Sequence, residues 1–158
     1  MNAPRSLLQL VIGVGNDYRR DDGVGLRVAR ALRQRQVGCV SVLERTGEGA
    51  ALMEAWQDAP AVILIDAVDS GGKPGTIHRF DAHVETIPAE FFHYSTHAFG
   101  LAEAVEMARN LKQLPPRVVV YGVEGRDFTS GVGLSPEVEA AAQEMTARLL
   151  LELQPQVA

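Results

Sequence analysis

The chain has 158 residues, 46% of them hydrophobic and 22% charged, which suits one globular domain with a real core and leaves too little chain for two. Its 15 basic and 20 acidic side chains give a net charge of −5, and no run of Lys or Arg marks a nucleic-acid partner. No apolar stretch approaches the roughly 18–20 residues that a membrane span requires.

The start, Met1 to Ser6, leads directly into an apolar run from Leu7 to Val14 that ends in Gly15. This reads as a first core strand, buried on both faces, rather than as a signal peptide. From Asp22 the period changes: Val24, Val28, Ala31 and Leu32 recur at helical spacing, with Arg27, Arg30 and Arg33 on another face. Cys39 to Leu43 alternates like a second strand. Cys39 is the single cysteine, has no internal disulfide partner, and is expected as a small buried hydrophobe in a reducing cytoplasm.

Ala50 to Trp56 suits a short helix, and Ala61 to Ile65 is the strongest buried strand. Gly71-Gly72-Lys73-Pro74-Gly75 is dense turn chemistry, after which Thr76 to Phe80 alternates as a strand. So few residues separate it from the Ile63 strand that an antiparallel pair is expected between them. Residues 81–95 look irregular. Ala98 to Leu111 is helical and is stopped by Pro115-Pro116, and Arg117 to Gly122 is a last apolar strand. Ser135-Pro136-Glu137 opens a final helix, with a cap and a Pro at its first position. Alternation of strand and helix predicts a single α/β domain over residues 1–158. Its core is a five-stranded, mostly parallel twisted sheet with helices on both faces, a three-layer α/β/α sandwich.

In such a sheet, ligands bind in the crevice at the carboxyl ends of the parallel strands. Acids follow each of four strands: Asp17, Asp21 and Asp22 after the first, Glu44 and Glu48 after the second, Asp66 and Asp69 after the third, and Glu124 after the fifth. His97 precedes the helix near Ala98. With Thr96 as N-cap, the helix dipole would keep the His97 ring neutral and able to coordinate. Two carboxylates and one imidazole suit a divalent first-row ion with open positions. Each residue also has an ordinary structural alternative: Asp21 as a helix cap, Asp66 closing the Ser70-Gly71 turn, His97 facing solvent.

His78 reads as exposed on one strand face and His83 as a loop residue, and His93 is left out of the first coordination shell. Gly13-Val14-Gly15 invites a dinucleotide reading, but the third glycine of that fingerprint falls at Tyr18. A pyrophosphate would also meet Asp17, Asp21 and Asp22. There is no Gly-x-Ser-x-Gly elbow, no His-Glu-x-x-His helix and no Cys beside a His.

Ile12-Gly13-Val14-Gly15-Asn16 with Asp21-Asp22-Gly23-Val24-Gly25 resembles the opening motif of the hydrogenase maturation proteases. Leu64 to Val68, Ser95 to Leu101, Gly122-Val123-Glu124 and Gly133 to Pro136 agree in order and spacing, and the similarity runs from about Leu8 to Leu150. The resemblance implies a phosphorylase/hydrolase-like fold. It also implies an aspartic-type endopeptidase with nickel-dependent recognition that trims the C-terminal peptide of the large-subunit precursor of a nickel–iron hydrogenase. Matched by position, the implied metal residues are Asp22, Asp66 and His97. The nickel is carried by the precursor, although another divalent metal can occupy the site. Many members have Glu where this chain has Asp22, one methylene shorter, and Asp21 also matches a common acid, so the coordinating member of that pair stays open. Asp21 and Glu44 are the candidates to line the cleft, and the catalytic group is not assigned. Two alternatives remain: a nickel-binding chaperone or checkpoint module that docks without cutting, and a metal-independent hydrolase on a similar scaffold.

Overall fold

A computed structural model describes residues 9–92 and 98–153. Five strands, β1 (Gln9–Val14), β2 (Val40–Arg45), β3 (Ala61–Val68), β4 (Ile77–Asp81) and β5 (Arg117–Glu124), form one sheet in the order β2-β1-β3-β5-β4. The first four in that order run parallel, and β4 is antiparallel to β5. Four helices, α1 (Val24–Gln34), α2 (Gly49–Trp56), α3 (Leu101–Asn110) and α4 (Pro136–Glu152), cover it. Short 3-10 turns span Arg20–Gly23 and Ala89–Phe92.

The two cores follow from the pleat. Alternate residues of the central strands point to opposite faces. Ile12, Val62, Leu64, Val118 and Val120 pack under α2 and α3 against Leu52, Trp56, Leu101, Val105 and Ala108. Val11, Ile63, Ile65, Val119 and Tyr121 pack under α1 and α4 against Val28, Leu32, Met145 and Leu149. Strand β3 is buried along its whole length, as expected of a central parallel strand. The predicted α/β/α sandwich is therefore observed. No helix among the described residues is long and apolar enough to cross a membrane.

Three local expectations are corrected. Strand β4 pairs with β5, not with β3. Both edges of β3 are taken by parallel partners, so the chain after β3 must cross the end of β5 to find a free edge. Glu124 and Gly75–Thr76 exchange backbone hydrogen bonds at that crossing. Helix α3 begins at Leu101, with Gly100 as its N-cap, so the expected cap at Thr96 does not start it; Thr96 and His97 lie outside the described residues. Cys39 is exposed, in a turn with φ +64° just before β2. That backbone conformation is incompatible with the extended strand it was expected to join.

The glycines of the first loop serve close packing. A side chain at Gly25 would meet the carbonyl of Ile65 and the backbone of Val14, and one at Gly15 would meet the carbonyl of Asp22. Helix α1 thus starts pressed against the ends of β1 and β3. Gly25→Ala should cost about 3 kcal/mol or more despite the better helix propensity of Ala, which is worth roughly 1 kcal/mol. Urea unfolding with an unshifted midpoint would refute this close approach.

Candidate active site

The chain leaves β1 toward β2 on one side and leaves β3 toward β5 on the other, so the order reverses between β1 and β3. At this point the carboxyl ends of two adjacent parallel strands open a crevice. A cavity of about 420 Å³ lies there. Its polar wall includes Asn16, Asp17, Arg19, Asp22, Asp66 and Asp69, and Val14, Leu26, Phe92 and Phe128 supply apolar surface.

Asp66 reaches the cavity from inside the sheet. The β3–β5 ladder continues to Val68 opposite Glu124, so Asp66 is a strand residue, paired with Gly122, rather than the start of a turn. It is 8% exposed, and its Oδ1 accepts a 2.8 Å bond from the N–H of Ala67. Burial drives its carboxyl well above the usual carboxylate range, and repulsion from Asp22 pushes the same way, against the pull of the Ala67 N–H. Asp22 sits in the 3-10 turn after β1, with its backbone held by Arg19 and Asn16. Burial raises its carboxyl too, while Arg19 and the Asn16 N–H lower it. Two partly desolvated carboxylates that repel one another form a donor set suited to a hard-to-borderline divalent cation, whose charge would offset both penalties.

Among the described residues no group of three His, Cys, Asp or Glu side chains could hold a metal alone. The third expected donor, His97, lies outside the described residues, as does His93. The described residues on either side are tied to the end of β3 and to the start of α2. The N–H of Asp69 donates to the carbonyl of Phe91 (2.8 Å), and that of Gly49 donates to Phe99 (2.8 Å).

The adjacent acids Asp21 and Asp22 part company. Asp21 is fully buried and does not line the cavity. Its oxygens accept from the N–H groups of Arg126 (2.8 Å), Asp127 (2.9 Å) and Ser135 (2.7 Å), and from the Ser135 hydroxyl. Glu44 is also absent from the cavity wall. It is bonded by Arg30 (2.9 Å) and Arg33 (2.7 Å); burial opposes its ionisation, but those guanidinium bonds outweigh burial and hold its carboxyl below the usual range. Neither of these two candidate acids is among the residues that line this cavity. Asp17 lines the cavity beside Asp22, Asp66 and Asp69, and it is bonded in bidentate fashion to Arg30 (3.0 and 2.7 Å).

Glu124, the acid after β5, is likewise structural. It is 1% exposed and accepts from the N–H and hydroxyl of Ser70 and from Nε2 of His78 (3.2 Å), so it fastens the β3–β4 crossing. His78 is half-buried against Phe80 and Phe91 rather than exposed, and His83 bonds the carbonyl of Pro115 (2.7 Å). Arg19 and Phe128 were not singled out from the sequence. Arg19 falls within the opening motif, and Phe128 lies four residues past the end of β5.

A family model described as hydrogenase maturation protease matches residues 26–152. The hydrogenase 2 maturation protease of Escherichia coli (strain K12) is 30% identical over 148 residues, covering 91% of this chain and 89% of that protein. Two solved structures share the fold. One is a solution structure of an endopeptidase from Escherichia coli, with TM-score 0.79, 29% identity and coverage of 92% of this chain and 91% of that one. The other is the hydrogenase maturating endopeptidase HybD from E. coli, with TM-score 0.76, 27% identity and the same coverage of each chain.

Removing the Asp66 charge tests the electrostatics. Asp66→Asn keeps an oxygen for the Ala67 N–H. Because the folded-state carboxyl titrates above its unfolded value, wild-type stability is lost as pH rises through that raised value. The metal-free variant should therefore melt higher than wild type at about pH 8, by roughly 2–4 °C for each kcal/mol relieved. The gap should close below the ordinary carboxylate range near about pH 4. Scanning calorimetry checks this, and a variant that melts lower at pH 8 would overturn it.

Proposed function

The chain belongs to the hydrogenase maturation protease family, and from that premise we propose that it is the cytoplasmic endopeptidase removing the C-terminal extension of a nickel–iron hydrogenase large-subunit precursor after nickel insertion. The observation that carries this reading is the mutually repelling pair of half-buried Asp22 and buried Asp66 on the wall of the open cavity. The nickel arrives as cargo of the precursor, and Asp22, Asp66 and His97 complete its coordination. An incomplete protein donor set leaves positions for the precursor's own ligands. Another divalent ion can use the same donors. His97 enters through its match to the family motif.

The distribution of charge suits this task. Asp17 and Glu44 are bonded by the guanidinium groups of Arg30 and Arg33, whereas burial raises both the Asp22 and the Asp66 carboxyl, with Arg19 offsetting it only in part at Asp22, so this pair gains from a cation. A precursor without nickel would have to bury that pair uncompensated, which makes docking depend on the metal. Hydrolysis then adds one water across the scissile bond. The water oxygen ends in the new C-terminal carboxylate of the large subunit, and a proton goes to the amine of the released peptide. Four carboxylates, those of Asp17, Asp22, Asp66 and Asp69, line the cavity, and in this reading one of them orients that water.

Incubation with nickel-loaded precursor should shorten it by its C-terminal extension, as read by mass spectrometry, and nickel-free precursor should remain intact. Asp22→Asn and His97→Ala should each slow processing about 100-fold or more while circular dichroism stays unchanged. A stable complex with precursor of unaltered mass would overturn the proteolytic reading in favour of a checkpoint that does not cut. Equal processing of nickel-free precursor would overturn metal sensing.

A further inference from the structure

Asp21 is densely bonded close to the cavity, yet it does not line it. Its carboxylate accepts four bonds: the N–H groups of Arg126 and Asp127 and the hydroxyl of Ser135 reach Oδ2, and the N–H of Ser135 reaches Oδ1. Fully buried behind the cavity wall, it is placed to hold structure rather than to meet a ligand. The bonds instead join two separate walls. Asp21 belongs to the 3-10 turn that carries Asp22, and its donors belong to the loop between β5 and α4 that carries Phe128 to the cavity. The backbones are tied as well, through Asp21 N–H to Asp127 (3.0 Å), Arg20 N–H to Gly131 (3.0 Å) and Gly131 N–H to Tyr18 (2.9 Å). Ser135 is the N-cap residue of α4, but its hydroxyl makes no cap bond to that helix and points at Asp21 instead.

We propose that Asp21 is a positioning residue for Asp22: its carboxylate clamps the 3-10 turn to the β5–α4 loop and so fixes where the Asp22 carboxylate stands in the cavity. This rests on Asp22 seating the precursor's nickel. All four partners are donors, so the site demands acceptors on both oxygens. In Asp21→Asn the amide NH₂ must face at least one backbone N–H, and the clamp loosens. Ser135→Ala removes one bond and leaves three.

The test combines Ni²⁺ binding, measured calorimetrically with the ion alone, and processing of nickel-loaded precursor. Asp21→Asn should weaken Ni²⁺ binding and lower kcat/KM roughly 10- to 100-fold, the range typical of outer-shell partners of a metal site. Ser135→Ala should lie between it and wild type. In an Asp22→Asn background, adding Asp21→Asn should change Ni²⁺ affinity less than twofold, because the residue acts through Asp22. A merely structural role would lower the melting temperature but leave the two substitutions independent in affinity. Should Asp21→Asn not fold, Ser135→Ala with and without Asp22→Asn makes the same comparison. Additive effects on affinity, or a folded Asp21→Asn protein with wild-type affinity and rate, would overturn the proposal. If wild type itself failed to cut nickel-loaded precursor, the proposed function would fall instead, and the Ni²⁺ titrations would still decide the role of Asp21.

Discussion

The repulsion between Asp22 and Asp66 is the constraint around which the rest is arranged. Ionised carboxylates taken out of water destabilise a fold, and two of them near one another destabilise it more. The parallel sheet makes the pairing unavoidable once each acid stands at its position. Asp66 is held by a ladder that runs past it on the β5 side, and Asp22 by a turn that glycine lets approach the strand ends. The fold maintains this unfavourable spot with two close-packed cores behind it. In the proposed function, binding of the precursor's nickel and stability of the fold therefore oppose each other locally.

The other acids near the same sheet edge show how the chain prevents this repulsion from spreading. Asp17 and Glu44 share Arg30, and Glu44 also takes Arg33. Glu124 is fully engaged by Ser70 and His78, and Asp21 by backbone donors. Asp22 and Asp66 remain as the pair whose carboxyls burial raises, and these are the acids that the proposed function assigns to the nickel.

Much of this was legible in the chain itself. The alternation of buried strands and amphipathic helices dictated a parallel sheet, and the rule that ligands sit where strand order reverses pointed to the segments after β1 and β3. Asp66 was reached as one of the acids that follow the strands, and its match to the family motif singled it out. What could not be read were choices made at the scale of a single turn. Asp21 and Asp22 are neighbours in sequence, but in a 3-10 turn consecutive side chains diverge by about 120°. One therefore faces the cavity and the other the protein interior. Glu44 could not be separated from the cleft without knowing that Arg30 and Arg33 reach it from the next helix. The pairing of β4 depended on which strand edge remained free, a property of the whole sheet rather than of a short connection. Cys39 turned on one backbone angle.

The Arg33 guanidinium that holds Glu44 also donates, through its other terminal nitrogen, to the carbonyl of Val42 at 3.2 Å. Val42 lies in the middle of β2, a six-residue strand at the outer margin of the sheet. A strand margin with free carbonyls is a template on which another polypeptide can build. Here one of those acceptors is already taken by the chain's own cation, and Glu44 and Arg45 add charge beside it. The same side chain that bonds Glu44 therefore also blocks one acceptor on the open strand margin, which works against strand-to-strand aggregation.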